Sequence, residues 1–294
     1  MGSIAPPQSF LIFGNGWIAS QFKEVLQAQG KTVFISNARI ESREQVMSEL
    51  TVHKPTRVIN TAGVRGTPNA DWCEDHKIET FRSNVLGALN VVDCCYQLGI
   101  HVTQFGSACI YNLPEEEVRS RAPFAETEEP FFKGAWYHRS RLLSEQTIGH
   151  YPNLLLLRMR IPLAADLHRN NHIARLLKYD KILDLTGSGT ALPNLLPGAI
   201  ILSENSETGI YNFVTPGELS NVEIMKMAKQ YIRPDLQWET FELKEMLATL
   251  KAPRAICILD ATKLQTKLRE YGYEVKERRE ALEEIFQIMA KRGL

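Results

Sequence analysis

Charge of one sign is what this chain lacks first: 34 Lys and Arg stand against 34 Asp and Glu, leaving no formal net charge. Without a global basic field nothing holds nucleic acid or an anionic membrane by long-range attraction, and neither is expected as a partner. Cysteine is sparse. Cys73, Cys94, Cys95, Cys109 and Cys257 are odd in number, scattered and without paired metal-ligand spacing, which argues against a disulfide framework or a metal site and for free thiols in a reducing compartment. No apolar run reaches the length of a membrane-spanning helix. Met1-Gly2-Ser3-Ile4-Ala5-Pro6 has neither a basic start nor a signal-length apolar run, and Pro6 stands where a myristoylation signal wants Ser or Thr. A cytoplasmic protein is expected. Internal repeats and low-complexity linkers are absent too.

What is present is an ordinary globular composition, 44% apolar over 294 residues, enough for one large α/β domain or a core domain with a smaller appended one. Short apolar runs alternate with helix-period segments, the pattern of a parallel sheet covered by helices on both faces. Strands are expected at Phe10 to Phe13, Thr32 to Ser36, Arg57 to Asn60, His101 to Phe105 and Leu154 to Arg158. Helices are expected from Ile18 to Ala28, Arg43 to Leu50, Lys77 to Leu98 and Trp136 to His150. After Pro162 the alternation fades into a helix-rich region with a strand at Gly209 to Val214, so a boundary is expected near Ile161.

Gly14-Asn15-Gly16-Trp17-Ile18-Ala19 lies between the first strand and the first helix. Gly14 permits the tight turn, Gly16 lets backbone approach a pyrophosphate, and Ala19 lets the helix pack close to the sheet. The helix N-terminus then offers N–H groups and the positive dipole end to the phosphates. Gly pairs also make ordinary turns, but the position after a strand and before a helix favours a nucleotide. Where an NAD enzyme offers an acid to the ribose, this chain reads Ser36-Asn37-Ala38-Arg39. Ser36 and Arg39 suit a 2′-phosphate, so NADP(H) is favoured; the plainer alternative is that Arg39 is a solvated loop charge.

A second set carries chemistry. Ser107 falls just past the fourth strand, and Tyr137 and Arg141, four apart on a helix, share a face. In a carbonyl reductase a Tyr hydroxyl delivers a proton as hydride arrives, a Ser hydroxyl is a second donor, and a cation one turn away stabilises the phenolate and holds the nicotinamide ribose. Alone, such a Tyr–Arg pair is usually a surface pair; its context after a nucleotide loop favours the site.

The stretch from Gly63-Val64-Arg65-Gly66-Thr67-Pro68-Asn69-Ala70-Asp71 through Trp72-Cys73-Glu74 is long and specific. With Cys109-Ile110, Arg158-Met159-Arg160-Ile161-Pro162, Tyr211-Asn212-Phe213, Ala252-Pro253-Arg254 and Leu259-Asp260-Ala261, the chain resembles the extended short-chain dehydrogenase/reductases that finish nucleotide-linked deoxysugars. It is most similar to the bifunctional 3,5-epimerase/4-reductases of nucleotide-L-rhamnose synthesis. The resemblance implies a Rossmann-type doubly wound parallel sheet over residues 1–161. Residues 162–294 would form a smaller C-terminal substrate-binding lobe, with a strand near 209–214 returning to the sheet. It implies hydride from NADPH, a 4-keto-6-deoxyhexose on a nucleoside diphosphate, and a homodimer. Ser107 would match the family's Ser/Thr, Tyr137 its proton donor and Cys109 its epimerisation base, unless Cys109 is simply a small buried residue. Ala62 and Gly63 would complete the cofactor set, and Arg65, Thr67, Asn69 and Arg254 would meet substrate.

Departures from that pattern are several. Arg141 replaces a Lys, exchanging a compact ammonium for a planar fork. Arg175 replaces a Lys assigned to epimerisation, and a guanidinium is a poor proton donor. His172 is a titrating substitute, unless it is merely a solvated helix-start residue. Thr67 replaces an Arg, Ala255-Ile256-Cys257 a polar run, and Pro193 an acid. Beside the reductase, two alternatives stand: a paralogue acting on a non-sugar small molecule, and a non-catalytic NADP(H)-binding partner protein.

Overall fold

The computed structural model describes residues 8–114, 117, 120–131, 134–242, 245 and 255–294. Arg254 lies outside them. Two compact units emerge, each assembled from separate stretches of chain.

The first unit takes in the described residues to Gly106, with Ser140–Leu157 and Ala199–Ile210. Its frame is a sheet built from β1 (Ser9–Phe13), β2 (Thr32–Ser36), β3 (Arg57–Asn60), β4 (His101–Ser107), β5 (Leu154–Met159) and, after further elements, Gly209–Phe213. The strand Gly209–Phe213 takes the edge beside β5, and the order continues β4, β3, β1, β2. β1 runs parallel to both β2 and β3, and β3 to β4. Phe10 to Phe13 are fully buried and so, nearly, are Leu154 to Leu157, which is why these strands read as unbroken apolar runs rather than alternations. The chain leaves β1 for β2 and then crosses back to β3. Ligands of open α/β sheets bind outside the strand ends at such a reversal.

Helix α1 (Trp17–Ala28) buries Trp17, Ala19, Phe22 and Leu26. Helix α2 (Arg43–His53) starts on Ser42, whose hydroxyl accepts from the Gln45 N–H, with Glu44 in its first turn. The long helix expected from Lys77 to Leu98 is three pieces. After the short α3 (Trp72–Asp75) come α4 (Lys77–Phe81), a π-helical stretch at Arg82–Gly87, and α5 (Ala88–Gln97). A π stretch carries an extra residue per turn and so resets which side chains face inward. The close packing of Gly87 on Ile40, where an added Cβ would stand 2.6 Å from a side-chain carbon, accompanies it. α6 (Trp136–Ile148) follows β4.

The second unit comprises Ser107–Arg139, Arg158–Gly198 and Tyr211–Leu294. The single cut expected near Ile161 is therefore an interleaved division: the chain enters this unit at Ser107, leaves it, and returns twice. Short strands β6 (Pro162–Leu163), β7 (Lys181–Leu183), β8 (Thr186–Gly187) and β9 (Thr190–Ala191) alternate here with α7 (His172–Leu176) and the first half of α8 (Leu192–Glu204), which passes into the first unit at Ala199. The edge strand Gly209–Phe213 is β10; α9 (Asn221–Tyr231), α10 (Thr262–Glu270) and α11 (Arg278–Lys291) follow. Ile173, Ile182, Ile224, Met225, Leu282, Ile285, Phe286 and Met289 form its core. Two-residue strands explain why no sequence alternation was legible there: a period of two needs more residues to show. No helix among the described residues is long and apolar enough to cross a membrane.

Candidate active site

The first unit holds the expected nucleotide turn. Gly14 has a φ of +95°, and a Cβ there would stand 2.8 Å from the Ala62 nitrogen, so glycine is required by both backbone and neighbour. That contact brings the β1 turn against the end of β3, on the two sides of the sheet reversal. At Gly16 a Cβ would meet nothing within 4 Å: this glycine faces open space. α1 begins at Gly16 with no side-chain cap and no acid in its first turn, whereas α2 and α9 both start on a capping serine with a Glu in the first turn. A helix start so equipped keeps its positive end available for an anion. The cradle therefore fits a pyrophosphate. Asn15 Nδ2 donates to Asn37 Oδ1 at 3.1 Å, joining this turn to the end of β2. Trp17 is buried and Ile18 half-buried.

The two residues proposed for the 2′-phosphate diverge. Ser36 is buried, 1% exposed, and its hydroxyl accepts from the Ala38 N–H at 3.0 Å; it shapes the turn and offers no surface to a ligand. Arg39 is exposed, 3.4 Å from Glu41. It lines a cleft of about 480 Å³ with Glu41, Ser42, Val64, Trp72, Glu79 and Arg82.

Beyond β3, Ala62 N–H donates to Asn60 Oδ1. A Cβ on Gly63 would come within 2.5 Å of an Arg141 guanidinium nitrogen and 3.1 Å of Asn84 Oδ1. Asn84 accepts from Val64 N–H at 2.7 Å and donates to Val64 C=O at 2.8 Å and to Ser140 Oγ at 3.0 Å. Arg141 thus lies on the Gly63 backbone, and an amide from the π stretch holds the next residue. Arg65 and Thr67 are exposed, and Asn69 Oδ1 accepts from Asp71 N–H.

In the second unit Ser107 ends β4, inside the strand rather than past it, because Ala108 N–H still bonds Met159 C=O at 3.1 Å. Its hydroxyl accepts from the Cys109 backbone N–H at 3.2 Å, a bond to the Cys109 backbone and not to its thiol. Tyr137 is half-buried in the first turn of α6.

Arg160 and Cys257 were not singled out as site residues from the sequence. Arg160 is buried, 5% exposed. Its Nη1 lies 3.2 Å from Cys257 Sγ and 3.9 Å from Cys109 Sγ, and its Nη2 donates to Ala255 C=O at 2.9 Å. Burial pushes the Cys257 thiol up to about 11, with Arg160 pulling the other way, so Cys257 keeps its proton and donates to Ala108 C=O at 3.4 Å. The available signal was a second arginine just beyond the buried leucine run of β5.

His172 opens α7, its Nε2 2.8 Å from Asn221 Oδ1. Burial, with help from Arg175 and Arg160, pushes its pKa down to about 4. An imidazole so lowered is uncharged at neutral pH.

Fold and glycine turn define a dinucleotide-binding α/β protein. A model of the NAD dependent epimerase/dehydratase family matches residues 11–153. Over 272 residues, 92% of this chain and 90% of the other, it is 37% identical to the bifunctional dTDP-4-dehydrorhamnose 3,5-epimerase/dTDP-4-dehydrorhamnose reductase of Arabidopsis thaliana. The crystal structure of the L780 UDP-rhamnose synthase from Acanthamoeba polyphaga mimivirus matches with a TM-score of 0.89 and 28% identity, covering 96% of this chain and 99% of that one. A dTDP-4-dehydrorhamnose reductase of Bacillus anthracis in complex with NADP shares the fold, with a TM-score of 0.79 at 19% identity over 95% and 98% of the two chains. The chain belongs to the NAD dependent epimerase/dehydratase family.

Proposed function

We propose that this chain is an NADPH-dependent reductase of a nucleotide-linked 4-keto-6-deoxyhexose, with Cys109 serving a 3,5-epimerase step. The observation that carries the cofactor half is the α1 start: uncapped, acid-free and opened by a Gly14 turn that tolerates no side chain. Arg39, with no carboxylate in the Ser36 to Arg39 turn, favours the 2′-phosphate form. The substrate class is supported by the Arabidopsis relative, similar across nine-tenths of both chains.

NADPH, when bound, supplies the hydride. Gly14 to Ile18 hold its pyrophosphate, Ala62 and Gly63 border it, and Arg141, lying on Gly63, holds the nicotinamide ribose. Tyr137 donates the proton to the keto oxygen from its hydroxyl, and Ser107 donates a second hydrogen bond to that oxygen. Arg141 keeps the positive charge of the Lys it replaces, though as a planar fork. Cys109 takes the proton beside the ketone. Arg65, Thr67 and Asn69 border the sugar nucleotide. Since His172 is uncharged at neutral pH, Arg175 stands near it as a fixed charge and not as an acid.

Replacing Tyr137 by Phe is expected to lower kcat for NADPH oxidation with a nucleoside-diphosphate 4-keto-6-deoxyglucose by about 10²- to 10⁴-fold. Fluorescence titration should show NADPH binding unchanged. Wild-type turnover in the variant would remove Tyr137 from the chemistry.

The protein is assigned to the cytoplasm, consistent with five free thiols. It is assigned as a homodimer pairing through α4 and α6, where Ile78, Phe81 and Leu143 are 73%, 39% and 41% exposed. Sedimentation at micromolar concentration should give twice the chain mass; a monomer would overturn the pairing.

A further inference from the structure

Buried in the second unit is a constellation that reduction does not use. Arg160 always carries its charge, yet among the described residues none of its hydrogen-bond partners is a carboxylate. It is held by the Ala255 carbonyl and by two sulfurs, and its Nε is buried with no partner. That Nε faces Gly187, where an added Cβ would stand 3.6 Å away. A buried guanidinium stabilises any negative charge that forms on a neighbouring sulfur. Legs of 3.2 and 3.9 Å meeting at one nitrogen keep the two sulfurs within about 7.1 Å of each other. Cys257 Sγ also touches the carbonyl of Ala108, one peptide from Cys109. The two thiols differ in access: Cys109 is half-buried and Cys257 fully buried.

We propose that Cys109 and Cys257 form a peroxide-sensitive dithiol, with Cys109 the sulfur attacked first, Cys257 the resolving thiol, and Arg160 the cation that serves both. The Cys109 sulfur attacks hydrogen peroxide, the O–O bond breaks, and one water leaves carrying the thiol proton. Cys109, oxidised by two electrons, is then a sulfenic acid. The Cys257 sulfur attacks it, the S–S bond forms as the S–O bond breaks, and the departing oxygen takes the Cys257 proton as a second water. Two thiols and hydrogen peroxide thus give one disulfide and two waters. The reduced pair is restored by exchange with an external thiol. Loss of epimerisation on oxidation rests on the reading of Cys109 given above; the disulfide itself does not.

The test uses the full-length chain, with circular dichroism confirming that each variant folds. Hydrogen peroxide followed by peptide mass spectrometry should find Cys109 joined to Cys257, two of the five thiols lost, and full recovery with dithiothreitol. Cys257→Ala should give no disulfide and instead a Cys109 sulfenic acid trapped by dimedone. Cys109→Ser should leave Cys257 unoxidised. The proposal is overturned if wild-type Cys109 proceeds to dimedone-reactive or sulfinic forms while Cys257 stays a thiol, if the disulfide found joins other cysteines, or if Cys109 resists peroxide. Because these readouts need no substrate, their failure is separate from failure of the reductase assignment, which turns on NADPH oxidation.

Discussion

Arg39 illustrates how a single residue's role divides between its sequence neighbours and its surroundings. The absence of an acid after β2 is plain in the chain, and it points to a phosphate in the place of a hydroxyl. The structure shifts the weight from a Ser36–Arg39 pair to Arg39, since Ser36 is buried and its hydroxyl is engaged with Ala38. Glu41 competes for the guanidinium at 3.4 Å, but with the Arg39 side chain 78% exposed the pair contributes little and yields readily to a better anion. Arg39→Ala should weaken NADPH binding by about tenfold, on the order of 1.4 kcal/mol, while leaving NADH unaffected. Competitive fluorescence titration measures both, and equal losses for the two would show that Arg39 meets no phosphate.

At the scale of an element, the π-helical stretch Arg82–Gly87 has the largest consequence. Asn84 projects from it, bonding both backbone groups of Val64 and the Ser140 hydroxyl. The segment is thereby a clamp on the loop after β3, the same loop on which Arg141 rests. Asn84→Ala leaves the Val64 N–H and C=O without their partner, a loss of about 2 to 3 kcal/mol. Thermal denaturation should show a midpoint lower by several degrees, with NADPH binding weakened as the loop loosens; an unchanged midpoint would mean solvent replaces the amide freely. Periodicity alone predicted one long helix here, because a π insertion leaves the apolar pattern nearly intact while moving one polar residue inward. β1, β2 and β3 were legible to within a residue, since a short, fully apolar run bounded by turn residues has few other readings. The second unit's two-residue strands were not legible.

Across the whole molecule, burial of two histidines sets a pH dependence. His172 falls from 6.5 to about 4 in the fold, and His101, buried with its Nε2 2.7 Å from Glu207 C=O, is lowered by desolvation as well. Both groups bind protons more readily in the unfolded chain. The stability they permit is fully present above pH 6.5 and is lost as pH falls through that value toward 4. For His172 the loss is at most about 3 kcal/mol. Urea denaturation across this window should show the decline, and His172→Asn should flatten part of it; a variant as pH-sensitive as wild type would assign the decline elsewhere.

The glycine turn, the missing acid after β2, and the placement of Ser107 and Cys109 at the end of β4 and of Tyr137 at the start of α6 were determined by the sequence itself. A φ above zero and an uninterrupted apolar run are properties of neighbouring residues. What only the tertiary structure decided were meetings at long separation. Arg160 reaches Cys257 across 97 positions and Cys109 across 51, and Arg141 comes to rest on Gly63. No local pattern encodes such contacts: they exist because separate stretches of chain close into one unit, and a burial that takes a charge or a thiol out of water changes its chemistry only once that closure is complete.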